Sequence, residues 1–399
     1  IDTGVQWDHP TLKTKYRGYN PADPDNPNHE FSWFDATSTN SSSAFDDNGH
    51  GTHTIGTMVG SEPNGANQIG VAPGAKFIAV KALNAAGSGT QADLLEAGEY
   101  VLAPKDANGT PHPEYAPDVV NNSWGGAAGL NEWYRPMVQA WKNADIFPEF
   151  SAGNSGPGAG TVNAPSNYPE SYATAATDLN NALASFSSRG PSPYEGVIKP
   201  NIAAPGVNIR SAIPGNGYAS YNGTSMAGPH VSAVVALLRQ ADSSLTVDQI
   251  EEIMELTATP LTDSAYPESP NYGYGHGLVN AFDAVSSVVS GLGKIKGTVS
   301  KEGDDTQAPE IETEPVTTSY KEMDLPLSAT ATDDVSVTSV TLKYKKADGS
   351  WTEVAAERVS GDYKSGEYEA TIPGADLTGD STEYQFVASD FGGNSNETA

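Results

Sequence analysis

No cysteine occurs among the 399 residues, which excludes disulfides, thiolate metal sites and a thiol nucleophile together. Basic residues are scarce as well: 21 Lys and Arg stand against 50 Asp and Glu. Without clustered positive charge there is no footprint for a phosphate backbone, so nucleic acid is excluded as a partner. No apolar run approaches the roughly 18 residues that a membrane-spanning helix needs, and no membrane partner is expected. The charged fraction, 18%, is too low for a coiled coil. What remains is ordinary globular usage, 37% apolar with 41 glycines. The length accommodates two or three domains.

Charge and texture change near residue 300. Residues 1–300 carry 14 basic and 29 acidic side chains, whereas residues 301–399 carry 7 and 21 in a third of the length. Before that point, strand patterns (Phe77–Leu83, Val119–Ser123, Ile146–Ala152) alternate with helix patterns (Gln91–Leu102, Glu132–Ala144). Such alternation predicts βαβ units, hence a parallel sheet covered by helices on both faces. A long apolar helix is expected over Ser225–Gln240, and Thr246 with Gln249 forms a capping box for another. After residue 300 only short alternating segments remain: Leu325–Ala331, Val337–Lys345, Glu367–Ile372 and Glu383–Ala388. These predict a small all-β sandwich of the immunoglobulin or fibronectin-III kind. The expected division is an α/β domain over 1–293, a linker over 294–308 and a β module over 309–399.

Four segments of the front domain carry groups capable of chemistry. Ile1-Asp2-Thr3-Gly4 places a carboxylate at a glycine turn. Asp47-Asn48-Gly49-His50-Gly51-Thr52-His53 leads a histidine into a helical pattern. Ser151-Ala152-Gly153-Asn154 ends a strand on an amide, and Gly223-Thr224-Ser225-Met226-Ala227 opens a long helix on a serine. Singly, each has an ordinary reading. Asp-Thr-Gly occurs in turns, and an aspartic protease would need two such loops. His50 and His53 lack the i, i+4 spacing and the intervening Glu of a zinc hydrolase. The serine segment approximates a nucleophile elbow, but that family's order is Ser, acid, His.

Together they change the reading. Asp, His, amide and Ser fall at 2, 50, 154 and 225, and the order Asp, His, Ser is the subtilisin arrangement. IDTG, HGTH, SAGN and NGTSMAGPH all resemble the motifs of the subtilases, a family of serine proteases, over roughly residues 1–290. The chemistry agrees. A serine hydroxyl needs a base, His50; that imidazole needs an acceptor to fix its tautomer, Asp2. Asn154 and the Ser225 N–H at a helix N-terminus can hold a tetrahedral oxyanion.

The resemblance implies more. Substrate would bind as an added strand against Gly87-Ser88-Gly89 and Ser123-Trp124-Gly125. The pocket before the scissile bond would be walled by Ser123, Trp124, Gly125, Ala152 and Gly153, with Trp124 where relatives often carry a smaller aliphatic residue. His53 would be structural. Calcium would be the cofactor, with Asp35 and Asn64 as its candidate ligands. Protein and peptide substrates, an inhibitory pro-region before maturation, secretion and a monomeric state are also implied. The sequence opens partway along the strand that leads into Asp2, so the first part of that strand is expected to lie outside it, as are a leader and pro-region. The β module is likewise expected to lack its last strand. Rival readings are a binding protein that keeps a protease body, an esterase, and a carbohydrate-binding tail. The intact set of four residues and their order argue against the first two. The tail aromatics Tyr344, Trp351, Tyr363, Tyr368 and Tyr384 read as core and cross-strand pairs, against the third.

Overall fold

The computed structural model describes residues 1–288, 305–390 and 392–398. They form two compact units, one made of 1–239 and 246–279, the other of 240–245 and 280 onward.

The first unit is α/β. Strands β1 (Trp33–Asp35) and β2 (Ala79–Lys81) pair in parallel, and Asp2 bridges to Lys81 alongside them. Strands β3 (Val119–Asn122), β4 (Phe147–Ser151), β5 (Tyr172–Thr177) and β6 (Ile202–Pro205) form a four-stranded parallel sheet in sequence order. A hairpin of β7 (Ile209–Ile213) and β8 (Gly217–Tyr221) follows. Five helices belong here: α1 (His50–Val59), α2 (Gln91–Leu102), α3 (Arg135–Asn143), α4 (Thr224–Ala241) and α5 (Val247–Thr257).

Alternation along the strands sends successive side chains to opposite faces. Val120 and Phe150 enter a core shared with Leu94, Ala97, Val138 and Trp141 of α2 and α3. On the other face, Asn121 accepts from Ser232 of α4, and Gly228 of α4 packs over Glu149 and Ser151. Helices therefore cover both faces, as expected for a parallel sheet. α2 spans the residues that its periodicity predicts. Its Thr90 and α5's Thr246 both close reciprocal capping boxes.

The second unit carries two four-stranded antiparallel sheets. One is ordered β13 (Glu357–Gly361), β14 (Ser365–Ile372), β10 (Leu325–Thr332), β9 (Glu310–Glu312). The other is ordered β12 (Trp351–Ala355), β11 (Val337–Lys345), β15 (Tyr384–Asp390), β16 (Ser395–Glu397). Leu327, Ala329, Tyr368 and Ile372 from the first meet Val340, Leu342, Phe386 and Ala388 from the second in one core. This is a sandwich, built from strict inside–outside alternation. Ser395–Glu397 supplies a strand beyond β15.

Helix α6 (Ala281–Val288) packs on β11, so the compact division falls after Val279, earlier than the expected boundary at 293. Most of the expected linker, 294–304, lies outside the described residues.

Candidate active site

Asp2 sits beside β2 with its backbone held by Val80 and is 6% exposed. Its Oδ1 accepts from Thr3 N–H and from His50 Nδ1, both at 2.7 Å. Oδ2 is buried with no hydrogen-bond partner among the described residues, so the His50 ring is the only side chain that bonds this carboxylate. Burial pushes the Asp2 carboxyl up, but the charge and hydrogen bond of His50, joined by smaller contributions that include the Thr3 N–H, together hold it below the ordinary value.

His50 is the first residue of α1. The charge of Asp2 raises its pKa above the ordinary 6.5 against the opposing effect of burial, with a further contribution from Asp46. A nitrogen that donates to Asp2 must be Nδ1–H, which leaves Nε2 as the basic lone pair. The start of α1 is anchored by Asp46. One oxygen accepts from Gly49 N–H at 2.8 Å, the other from Thr52 N–H at 2.9 Å and Thr52 Oγ1 at 2.6 Å. A carboxylate here also suits the positive end of the helix. Gly51 must lack a side chain, because a Cβ would stand 2.2 Å from the Gly4 carbonyl oxygen. That contact is what lets α1 lie close to the Asp2 turn.

One helical turn on, His53 donates from Nε2 toward Ile209 O and Ala219 O of the hairpin, 3.0 and 3.1 Å away. Its ring stacks on Tyr221. Burial lowers its pKa to about 4, so it stays neutral and structural, in agreement with the sequence reading. Tyr221 lies four residues before Ser225, and the hairpin thus brings the start of α1 and the start of α4 into one neighbourhood.

Ser225 lies in the first turn of α4, where backbone N–H groups have no acceptor within the helix. Its Oγ donates to Ser123 O at 3.3 Å, and its own carbonyl accepts from Ser123 Oγ at 3.0 Å. In this rotamer the hydroxyl is not bonded to His50. Asn154 follows the end of β4. Its Oδ1 accepts from Thr224 N–H at 2.9 Å and from Thr224 Oγ1 at 3.0 Å. A backbone N–H can only donate, so the amide orientation is fixed: oxygen to Thr224, Nδ2 outward. Nδ2 has no partner among the described residues, and it faces Gly223 just before the Ser225 N–H. Two unspent donors thus stand at one place. Gly153 precedes Asn154 with φ +103°, and a Cβ there would meet Asn163 Oδ1 at 2.1 Å.

The expected substrate-binding segments divide. Gly87, Ser88 and Gly89 form an exposed turn closed by Asn84, and Asn48 Nδ2 ties this loop to the approach to His50 through Ala85 O at 3.0 Å. Gly125 and Gly153 both pack against the Asn163 side chain, and Asn163 Nδ2 donates to Gly126 O at 2.8 Å. Ala152 is fully buried. Trp124 turns its ring into the core, edge-on to Tyr134 and Phe150 with centroids 5.2 and 5.6 Å away.

Asp35 and Asn64, the expected calcium ligands, both accept hydrogen bonds within their own loops. Asp35 Oδ1 accepts from Thr37 N–H and Oγ1, and Oδ2 from Ser41 N–H. Asn64 Oδ1 closes its own turn on Ala66 N–H at 2.9 Å. Neither leaves an orphaned buried oxygen for an ion, because short loops of Thr and Ser use these acceptors locally.

Three residues that the sequence did not single out shape the site. Asp46 anchors α1 and Asn163 backs the two glycine segments. Lys81, fully buried on β2, donates to Thr3 O, Asp47 Oδ1 and Leu83 O at 2.7, 2.7 and 2.9 Å. It fastens the Asp2 turn to the loop that delivers His50. The signal for Asp46 was present, an acidic residue three positions before a glycine-started helix. Nothing in the sequence marks Lys81 or Asn163.

The Subtilase family profile matches residues 1–277. The chain is 62% identical to bacillopeptidase F of Bacillus subtilis (strain 168) over 398 residues, which is 98% of this chain and 27% of that protein. It is 36% identical over 313 residues to the serine protease AprX of the same organism, 71% of this chain and 65% of that protein. Subtilisin Savinase of Lederbergia lenta is 38% identical over 236 residues, 59% of this chain and 77% of that protein. The chain therefore spans about a quarter of the length of the first of these relatives.

Proposed function

Because the chain belongs to the subtilase family, we propose that it is a secreted serine endopeptidase that cleaves peptide bonds in proteins through an acyl-enzyme on Ser225. The observation that carries this is the pairing of two arrangements: His50 held by Asp2 at 2.7 Å, and Asn154 committed through Oδ1 to Thr224 beside Ser225.

On this reading, the Ser225 hydroxyl turns from Ser123 O toward His50 when substrate enters. His50 Nε2 takes its proton as Oγ attacks the carbonyl carbon, and Asp2 stabilises the imidazolium that forms. The developing oxyanion accepts from Asn154 Nδ2 and from Ser225 N–H, both fixed before substrate arrives. His50 then protonates the leaving amine, and water, deprotonated by the same ring, hydrolyses the acyl-enzyme. The substrate backbone pairs with Gly87–Gly89 and with Ser123–Gly125. Ser123, Gly125, Ala152 and Gly153 border the pocket before the scissile bond. Trp124 supports that wall from the core, packed on Tyr134 and Phe150. A pro-region that occupies the cleft before maturation and a monomeric state complete the proposal.

The test is digestion of a random peptide library by the purified chain, with cleavage sites read by mass spectrometry. Internal cleavage that disappears in the Ser225→Ala chain supports the reading. Intact peptides, or equal cleavage by both chains, defeat it.

A further inference from the structure

A second cluster of acidic side chains lies far along the sequence from the candidate active site, within the β sandwich. Asp305 precedes the first strand of that unit, Asp333 and Asp334 follow the end of β10, and Asp390 ends β15. Asp305, Asp333 and Asp334 each offer an oxygen, and these oxygens all lie within 4.8 Å of one another.

Proximity of carboxylates is common on acidic surfaces, so a separate observation decides. Asp305 is only 4% exposed, and its Oδ2 is buried without a hydrogen-bond partner among the described residues. Asp333 repeats this: Oδ1 accepts from the Val335 and Ser336 N–H groups, while Oδ2 is buried and unpartnered. A buried carboxylate oxygen with no donor is costly unless something positive meets it. Among the described residues no basic side chain does. Four of the unit's lysines pair elsewhere: Lys321 with Asp380, Lys343 with Glu353, Lys345 with Glu383, Lys346 with Asp376. The entry segment and the end of β15 are nevertheless laced together. Asn394 Nδ2 donates to Asp390 Oδ2, Asp305 O and Gln307 O, and Asn394 N–H donates to Asp390 Oδ1 at 2.7 Å.

We propose that Asp305, Asp333 and Asp334 bind a calcium ion at this end of the sandwich, with Asp390 contributing negative charge behind them. All-oxygen, carboxylate-rich ligation is the chemistry of a hard divalent cation, and calcium accepts the irregular oxygen sets that loop carboxylates provide. A bound ion would tie the segment entering the sandwich to the end of β10.

The test uses the full chain carrying Ser225→Ala, to prevent self-digestion, stripped with chelator and titrated with calcium alone by equilibrium dialysis. Asp305→Asn and Asp334→Asn are made in the same background, and circular dichroism checks that each is folded. Asp334 is exposed, so its variant keeps the test alive if Asp305→Asn does not fold. The expected result is one ion fewer per chain in the variants, or that ion held at least about tenfold more weakly. Equal stoichiometry and affinity in all folded forms, or no calcium on the parent, overturns the proposal.

Discussion

Asn154 is committed through its carbonyl oxygen to Thr224, so on the proposed reading its donor contributes to the transition state more than to the ground state. Replacement by leucine removes that donor and should lower kcat by roughly 10²–10³ with KM nearly unchanged. Steady-state kinetics on a chromogenic peptide separates the two; a pure KM effect would place Asn154 in substrate binding. The Asp2–His50 pair makes a prediction about pH. His50 acts only when neutral, and Asp2 raises its pKa above 6.5, so activity should rise with pH through a midpoint above that value. Asp2→Asn removes both the charge and the tautomer control. It should cut kcat by about 10⁴-fold and shift the remaining acid limb to lower pH. An unshifted limb would mean that Asp2 does not set the base. These four chemical residues were legible because each stands in a short contiguous motif. Asp46, Asn163 and Lys81 were not. A lysine in a strand pattern gives no sign that it will be buried and spend its ammonium on Thr3 O, Leu83 O and Asp47.

Among the elements, those whose local signals agree with their burial were visible in advance. α2 has an apolar stripe of Leu94, Ala97 and Val101 and a capping box at Thr90, and its bounds match expectation. β10, β11, β14 and β15 alternate strictly and were read almost to the residue. β5 was missed because Tyr172–Thr177 is mostly alanine and threonine; only its neighbours in the sheet and its complete burial make it a strand. The β7–β8 hairpin, which carries Tyr221 to His53, was missed because neither strand alternates between buried and exposed side chains, although the two pair locally. The caps permit a measurement. Thr246 Oγ1 accepts from Gln249 N–H and Gln249 Oε1 accepts from Thr246 N–H. Thr246→Ala should cost about 1 kcal/mol. In the Ser225→Ala background that corresponds to a thermal midpoint lower by roughly 2–4 °C. An unchanged midpoint would show that α5 is held by packing alone.

At the scale of the molecule, two units with independent cores share one chain, and every residue proposed for bond cleavage lies before residue 226. We therefore propose that the sandwich is an appendage to catalysis. A chain ending near Gly293 should keep its kcat/KM on a short chromogenic peptide; if it folds by circular dichroism yet loses that activity, the sandwich must support the site. The change of texture near residue 300 was visible in the sequence, whereas the membership of α6 was not, because its apolar face carries no label saying which core it joins. The central claim is that Ser225 is the nucleophile, activated by His50. A sulfonyl fluoride reagent followed by peptide mapping tests it most directly. One label per chain on Ser225, with peptidase activity lost in step and no label on the Ser225→Ala or His50→Ala chains, is the predicted result. A label on another residue, or full activity in the Ser225→Ala chain, would contradict it.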